Sequence, residues 1–132
     1  MENTINLLKT GAAAVLGGAA YWLGGLDKLL LTLGAVMVLD YITGLLCAWH
    51  TKSLSSAIGF RGIVKKVMLL TVVALAFLVE ELTGGILALR EITIMFFVVN
   101  EGLSILENAA GTGLPLPDRL RQVLRQLGSK EE

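Results

Sequence analysis

Residues 29–50 read LLLTLGAVMVLDYITGLLCAWH, an apolar run broken by a single acid, Asp40. As a helix rising about 1.5 Å per residue, such a run reaches across the roughly 30 Å hydrocarbon core of a bilayer. A central Asp opposes insertion by about 2.5–3.5 kcal/mol, whereas each Leu, Ile or Val near the centre favours it by up to about 0.3–0.6 kcal/mol. Ten such residues share the stretch, so the sum balances and the segment is read as transmembrane in spite of its acid. At about 100° per residue, Asp40, Thr43, Gly44 and Cys47 share an arc of about 100°. The opposite face, Leu31, Ala35, Val38, Ile42, Leu45 and Trp49, is apolar. One side suits lipid or a greasy neighbour, and the other suits protein or water.

The rest of the composition agrees with that solvent. Hydrophobic residues are 55% of the 132 and charged residues 17%, with a mean hydropathy of +0.73. A soluble chain this small would be covered in exposed apolar surface. Eleven Lys and Arg balance eleven Asp and Glu, so no basic field argues for nucleic acid. One Cys and one His, without CxxC or HExxH spacing, leave no disulfide, metal or cofactor site and no ordinary catalytic apparatus.

With charges as punctuation, four spans are expected, at about residues 11–26, 29–50, 63–80 and 90–108. They form a transmembrane domain over 1–110, followed by a tail over 111–132. The first span is short and needs Lys9 or Lys28 to snorkel. Its charge-poor start and direct passage into a second apolar stretch argue for a retained helix rather than a cleaved signal. Lys52 and Arg61 in the 51–64 connection, followed by Lys65 and Lys66, and Arg119, Arg121, Arg125 and Lys130 in the tail, are the basic clusters. Positive-inside counting places both, and hence both termini, in the cytoplasm of a bacterial cytoplasmic membrane protein.

Three further groups carry candidate roles. Gly11, Gly17, Gly18, Gly24 and Gly25 in the first span are candidates for close helix packing, within one chain or between copies. Asn100, Glu101, Ser104, Glu107 and Asn108 fall on one arc of about 120° in the fourth span. Five polar residues on one face are too many for a helix alone in hydrocarbon. Either several copies bring these faces together, or the polar arcs of the second and fourth spans satisfy one another, with Lys65 or Lys66 as counter-charge. After the breakers Gly111, Gly113, Pro115 and Pro117, Leu116, Leu120, Val123, Leu124 and Leu127 recur at helical spacing among Arg119, Arg121 and Arg125. A short basic amphipathic helix is expected, seated on the cytoplasmic membrane surface or on the chain's own cytoplasmic loop.

LDYITG at 39–44, SLSSAIGFRGIVKK at 53–66 and NEGLSILENAAGTGLPLPDRLRQVLRQL at 100–127 resemble the small phage holins grouped with clostridial toxin-secretion holins. The resemblance covers most of the chain from residue 39 onward. It implies an all-α integral membrane protein without enzyme activity or prosthetic group. Such a protein accumulates, forms homo-oligomers and permeabilises the membrane, releasing an endolysin or a large toxin as cargo without necessarily binding it. Asp40, Thr43, Gly44, Asn100, Glu101, Ser104 and Glu107 are then the candidate pore-lining residues. A different reading of the same intramembrane acids is a small proton-coupled multidrug-type transporter, in which Glu101 or Asp40 exchanges protons against a cationic substrate.

Overall fold

The computed structural model describes residues 1–131, with side chains as far as Gly128, so the side chain of Lys130 lies outside the described residues. The chain is all-α, with five helices: α1 Glu2–Trp22, α2 Lys28–His50, α3 Ser56–Leu82, α4 Leu89–Gly111 and α5 Asp118–Glu131. Among the described residues no strand occurs.

Local chemistry sets the helix ends. Asp27 accepts the Leu30 amide at 2.9 Å and caps α2, and Ser55 accepts the Ile58 amide at 3.2 Å and caps α3. Such caps satisfy amides that have no intrahelical partner. The Ser55 cap starts α3 two turns before the expected span at 63–80, so Arg61 lies on a helix and the connection shrinks from 51–64 to residues 51–55. At the far end Gly84 and Gly85 adopt φ of +72° and +78°, and the Gly85 amide donates to the Glu80 carbonyl at 3.0 Å. Left-handed residues close a helix in this way.

The first helix departs most from expectation. It begins at Glu2 and stops at Trp22, where residues 11–26 were expected to span. Gly24 and Gly25, at φ +90° and +101°, belong to the turn after it and not to a packing face. Gly11, Gly17 and Gly18 have open space where a Cβ would stand. No residue of α1 is buried, and the helix meets the others through a short contact with α3. The five glycines therefore form no common intrachain packing surface.

Helices α2, α3 and α4 form the core. Each contributes one wholly buried side chain, Leu33, Val73 and Ile94, with Leu30, Met37 and Leu69 around them. Arg90 at the start of α4 reaches Asp27 at the start of α2, and Gly111 at the end of α4 lies against Cys47 near the end of α2. These two helices thus run parallel, with α3 antiparallel to both. Glycine lets α3 approach α2 closely: a Cβ on Gly62 would stand 2.9 Å from the Tyr41 ring, whose hydroxyl donates to the Gly59 carbonyl at 3.3 Å. The α2–α3 connection and the α4–α5 linker share one end of the bundle. The α1–α2 and α3–α4 turns share the other.

By length and composition α2 and α3 are able to cross a bilayer. Their outward faces are apolar and exposed, including Leu31, Val38, Ile42 and Trp49 on α2, and Ile63, Val67 and Leu75 on α3. Helix α5 folds back along α4, with Leu124 against Gly102 and Gly128 against Val99. It is seated on a neighbouring helix and not on the 51–55 connection, and glycines on both helices leave room for it.

Candidate functional site

A buried ionic cluster joins the three core helices at mid-height. The Lys66 ammonium of α3 donates to Oδ2 of Asp40 on α2 and to Oε2 of Glu101 on α4. Asp40 is 7% and Glu101 3% exposed, so neither acid is left to water. Periodicity explains the meeting: Asp40 and Glu101 stand on the polar arcs of their own helices, and those arcs face each other across the α2–α4 interface. Lys66 closes the triangle from α3. One ammonium between two carboxylates leaves a formal charge of −1 when all three are ionised.

Asn108, further along α4 from Glu101, completes the arrangement. Its Nδ2 donates to Oδ1 of Asp40 at 3.0 Å, to the Asp40 carbonyl at 3.2 Å and to Oγ1 of Thr43 at 3.0 Å. Thr43 donates in turn to the Leu39 carbonyl at 2.7 Å. Gly44 lies beside Asn108, where a Cβ would stand 3.6 Å from its Nδ2, an ordinary contact. Among the described residues every buried side-chain nitrogen and oxygen has a partner. That is the condition for holding charge in a low-dielectric interior.

Ser104 sits beside Asp40 at the edge of this knot, and the other polar candidates lie outside it. Asn100, Ser104, Glu107 and Lys65 line a groove of ≈ 530 Å³ between α3 and α4, with Phe97 and Leu69 as apolar wall and Glu101 at its inner side. Asn100, Glu107 and Lys65 are exposed. The structure thus separates the two lysines offered as counter-charge: Lys66 engages both acids, and Lys65 borders the groove. Arg119 and Arg125 are exposed on α5, and Arg121 is half-buried.

A second charged knot is absent from the sequence reading. Arg90 is 6% exposed and donates through Nε to the Leu23 carbonyl at 2.5 Å. Its terminal nitrogens reach the Gly25 carbonyl at 3.0 Å and the Asp27 carboxylate at 2.7 and 3.2 Å. Gly24 admits this guanidinium, since a Cβ there would stand 2.6 Å from Arg90 Cδ and 2.9 Å from the Phe77 ring. The Arg90 guanidinium, hydrogen-bonded to Asp27, holds that carboxyl below the usual range, assisted by the Leu30 amide against the opposing effect of partial burial. The available signal is opposite charge at two helix starts on the same side of the bundle. Sequence position instead groups Arg90 with its neighbours Glu80, Glu81 and Glu91.

An apolar three-helix bundle with an internal ionic knot and a backfolded basic helix is the setting for comparison with known proteins. Residues 17–129 match the bacteriophage holin family. This chain belongs to that family. It is 41% identical over 133 aligned positions to an uncharacterised 14.9 kDa protein from the nagH 3' region of Clostridium perfringens, covering 99% of this chain and 100% of that one. It is 36% identical to the uncharacterised protein Lin0175 of Listeria innocua, over 94% of this chain and 86% of that protein. A protein of Bacillus phage phi105 described as a probable holin is 34% identical over 86% of each chain. No solved structure matches. The holin family is not an enzyme family. Its membership, with two helices able to cross a bilayer, makes this chain a holin-family membrane protein.

Proposed function

We propose that the chain is a holin that oligomerises in the bacterial cytoplasmic membrane and permeabilises it, so that an endolysin or a large toxin leaves the cell. In the assembled state α1, α2, α3 and α4 all cross the membrane, with both termini and the 51–55 connection in the cytoplasm. The observation that carries this reading is the Asp40–Lys66–Glu101 knot inside helices whose outward faces are apolar. A pore former must first be stable in lipid and later tolerate water along one face. A knot whose charges satisfy one another suits the first state, and the same charges turned toward a shared lumen suit the second.

Copies pack through α1, whose Gly11, Gly17 and Gly18 have no intrachain neighbour, and small residues of this kind allow close helix approach in lipid. The rearrangement exposes Asp40, Glu101, Asn100, Ser104 and Glu107 to the lumen. Charge displacement makes it voltage sensitive, since one elementary charge moved through 100 mV is worth about 2.3 kcal/mol and each copy adds its own.

Induced expression beside an inactive, signal-free endolysin reporter tests the proposal. The expected result is reporter in the medium after a delay, with loss of membrane potential. Proton-coupled cation uptake into vesicles with no escape of the reporter would overturn it in favour of a transporter.

A further inference from the structure

No residue of α1 is buried, and among the described residues α3 is the one helix it meets. At 21 residues it is long enough to cross a bilayer, yet it lacks the apolar character that lets α2 and α3 do so alone. Arg90 holds the turn behind it through the Leu23 and Gly25 carbonyls, so α1 is an arm fixed at one end. At about 100° per residue Asn6, Lys9, Thr10, Ala13 and Gly17 share an arc of about 100°, polar near the start of the helix and small beyond it.

The groove between α3 and α4 has the complementary need. Its ≈ 530 Å³ lie between an apolar wall that includes Phe97 and Leu69 and the polar side chains of Lys65, Asn100, Ser104 and Glu107. Asn100, Glu107 and Lys65 are exposed, and neither Lys65 nor Glu107 has an ion pair among the described residues. Left to hydrocarbon, such groups are costly. The knot behind the groove carries a formal charge of −1, whereas Lys65 and Glu107 cancel. One lysine from outside therefore neutralises the groove and its inner wall together.

We propose that α1 of a second copy lies in this groove, with Lys9 beside Ser104 and Glu107 and with Ala13 and Gly17 along Asn100 and Phe97. The inference deepens the permeabilising reading above and rests on its four-crossing topology, in which α1 starts and α4 ends on the cytoplasmic side. The depths agree. Lys9 stands 7 residues inside the start of α1 at Glu2, and Ser104 stands 7 residues inside the end of α4 at Gly111, about 10 Å in each case. Ala13 and Asn100 are both 11 residues deep, roughly 16 Å. Glu107 lies about one turn nearer the surface, within reach of a lysine side chain. Gly17, with open space where a Cβ would stand, lets the α1 backbone approach the Phe97 wall. Every copy then offers one arm and one groove on different surfaces, a head-to-tail contact that adds copies until a ring closes. The seat belongs to the array before the lesion opens. It covers Asn100, Ser104 and Glu107 with protein, and the rearrangement that turns them to the lumen breaks it.

Complementary charge reversal tests the seat. Three full-length chains carry Cys47→Ala, Ala13→Cys and Asn100→Cys: one with native charges, one with Lys9→Glu and one with Glu107→Lys. They are reconstituted singly, and the two reversed chains also as an equimolar mixture, into vesicles of phosphatidylethanolamine and phosphatidylglycerol. A short bismaleimide is added, products are sized by electrophoresis, and linked peptides are mapped by mass spectrometry. The chain with native charges should give a ladder of multimers joined from position 13 to position 100. Each reversed chain alone should lose that link by about tenfold or more, because an ion pair has become a like-charge pair. The mixture should recover it, since the native arm of one chain fits the native groove of the other. A 13–100 link within one chain, its absence with native charges, or a mixture no better than its components would each overturn the seat. Crosslinking is read without any leakage, so the two readings fail separately. If the link forms and recovers on mixing while no endolysin reporter escapes from cells, the seat stands and the permeabilising reading fails.

Discussion

Replacing Lys66 by Met removes the ammonium that both buried acids share while keeping most of the side-chain volume. Asp40 retains the Asn108 amide on Oδ1, but its Oδ2 loses its donor, and Glu101 loses the ammonium on Oε2. At 7% and 3% exposure the acids cannot hydrate in place. Breaking a buried ion pair by removing one partner typically destabilises by about 3–5 kcal/mol, roughly two to nearly four decades in the folded-to-unfolded ratio. The decisive comparison is the triple variant Lys66→Met, Asp40→Asn, Glu101→Gln. It removes all three charges at nearly constant volume, so no uncompensated charge is left buried. Unfolding in mixed micelles with a denaturing detergent, followed by far-ultraviolet circular dichroism, should therefore show a large loss for Lys66→Met and recovery of most of it in the triple variant. Lys66→Met within about 1 kcal/mol of the native protein would refute the reasoning, because it would mean that the acids are already hydrated and the knot is not a desolvated unit.

The Asp27–Arg90 pair predicts a pH dependence. The Asp27 pKa is lowered from 3.8 on folding, so the pair's contribution is present above that value and lost as pH falls through the lower folded value. Asp27→Asn keeps an acceptor for the Leu30 amide. It should cost less than about 1 kcal/mol at neutral pH, the carboxylate being half exposed, and the difference from native protein should vanish in acid. In an acid titration of thermal stability, a difference that persists at low pH would count against the pair. Gly62→Ala presses a Cβ to 2.9 Å from the Tyr41 ring and should destabilise by about 1–3 kcal/mol, with Tyr41→Leu in the same chain restoring most of it. For topology, Ser56→Cys and Ile86→Cys in a Cys47→Ala background should differ in intact cells: an impermeant thiol reagent should label position 86 and not 56. Labelling of position 56 before any leakage would contradict the orientation.

Much of this architecture is local and was therefore legible in one dimension. Helical periodicity identifies apolar stripes and polar arcs, because side-chain direction in a helix depends on residue number alone. That arithmetic put Asp40, Thr43 and Gly44 on one face and Asn100, Glu101, Ser104, Glu107 and Asn108 on another. It also separated a basic amphipathic segment after Pro117 from the apolar helices before it. What periodicity does not contain is the identity of the partner. Lys65 and Lys66 differ by about 100° around α3, and only the packing of α3 against α2 and α4 decided that Lys66 meets both acids while Lys65 borders the groove.

The same physical limit accounts for the rest. Gly24 and Gly25 fit a seven-residue repeat with Gly17 and Gly18, yet they lie in a left-handed turn because Arg90, more than sixty residues away, needs the space and the carbonyls there. The start of α3 turned on one hydroxyl, Ser55, reaching a backbone amide, which hydropathy does not register. The seat of α5 depended on two glycines on two helices meeting two branched side chains in register. Composition pointed to a membrane as solvent, and the length and periodicity of the apolar runs pointed to helices. Which charges neutralise one another, and which helix covers which, was decided by tertiary contacts, because a charge in a low-dielectric interior is tolerated only where a particular partner stands within hydrogen-bonding reach.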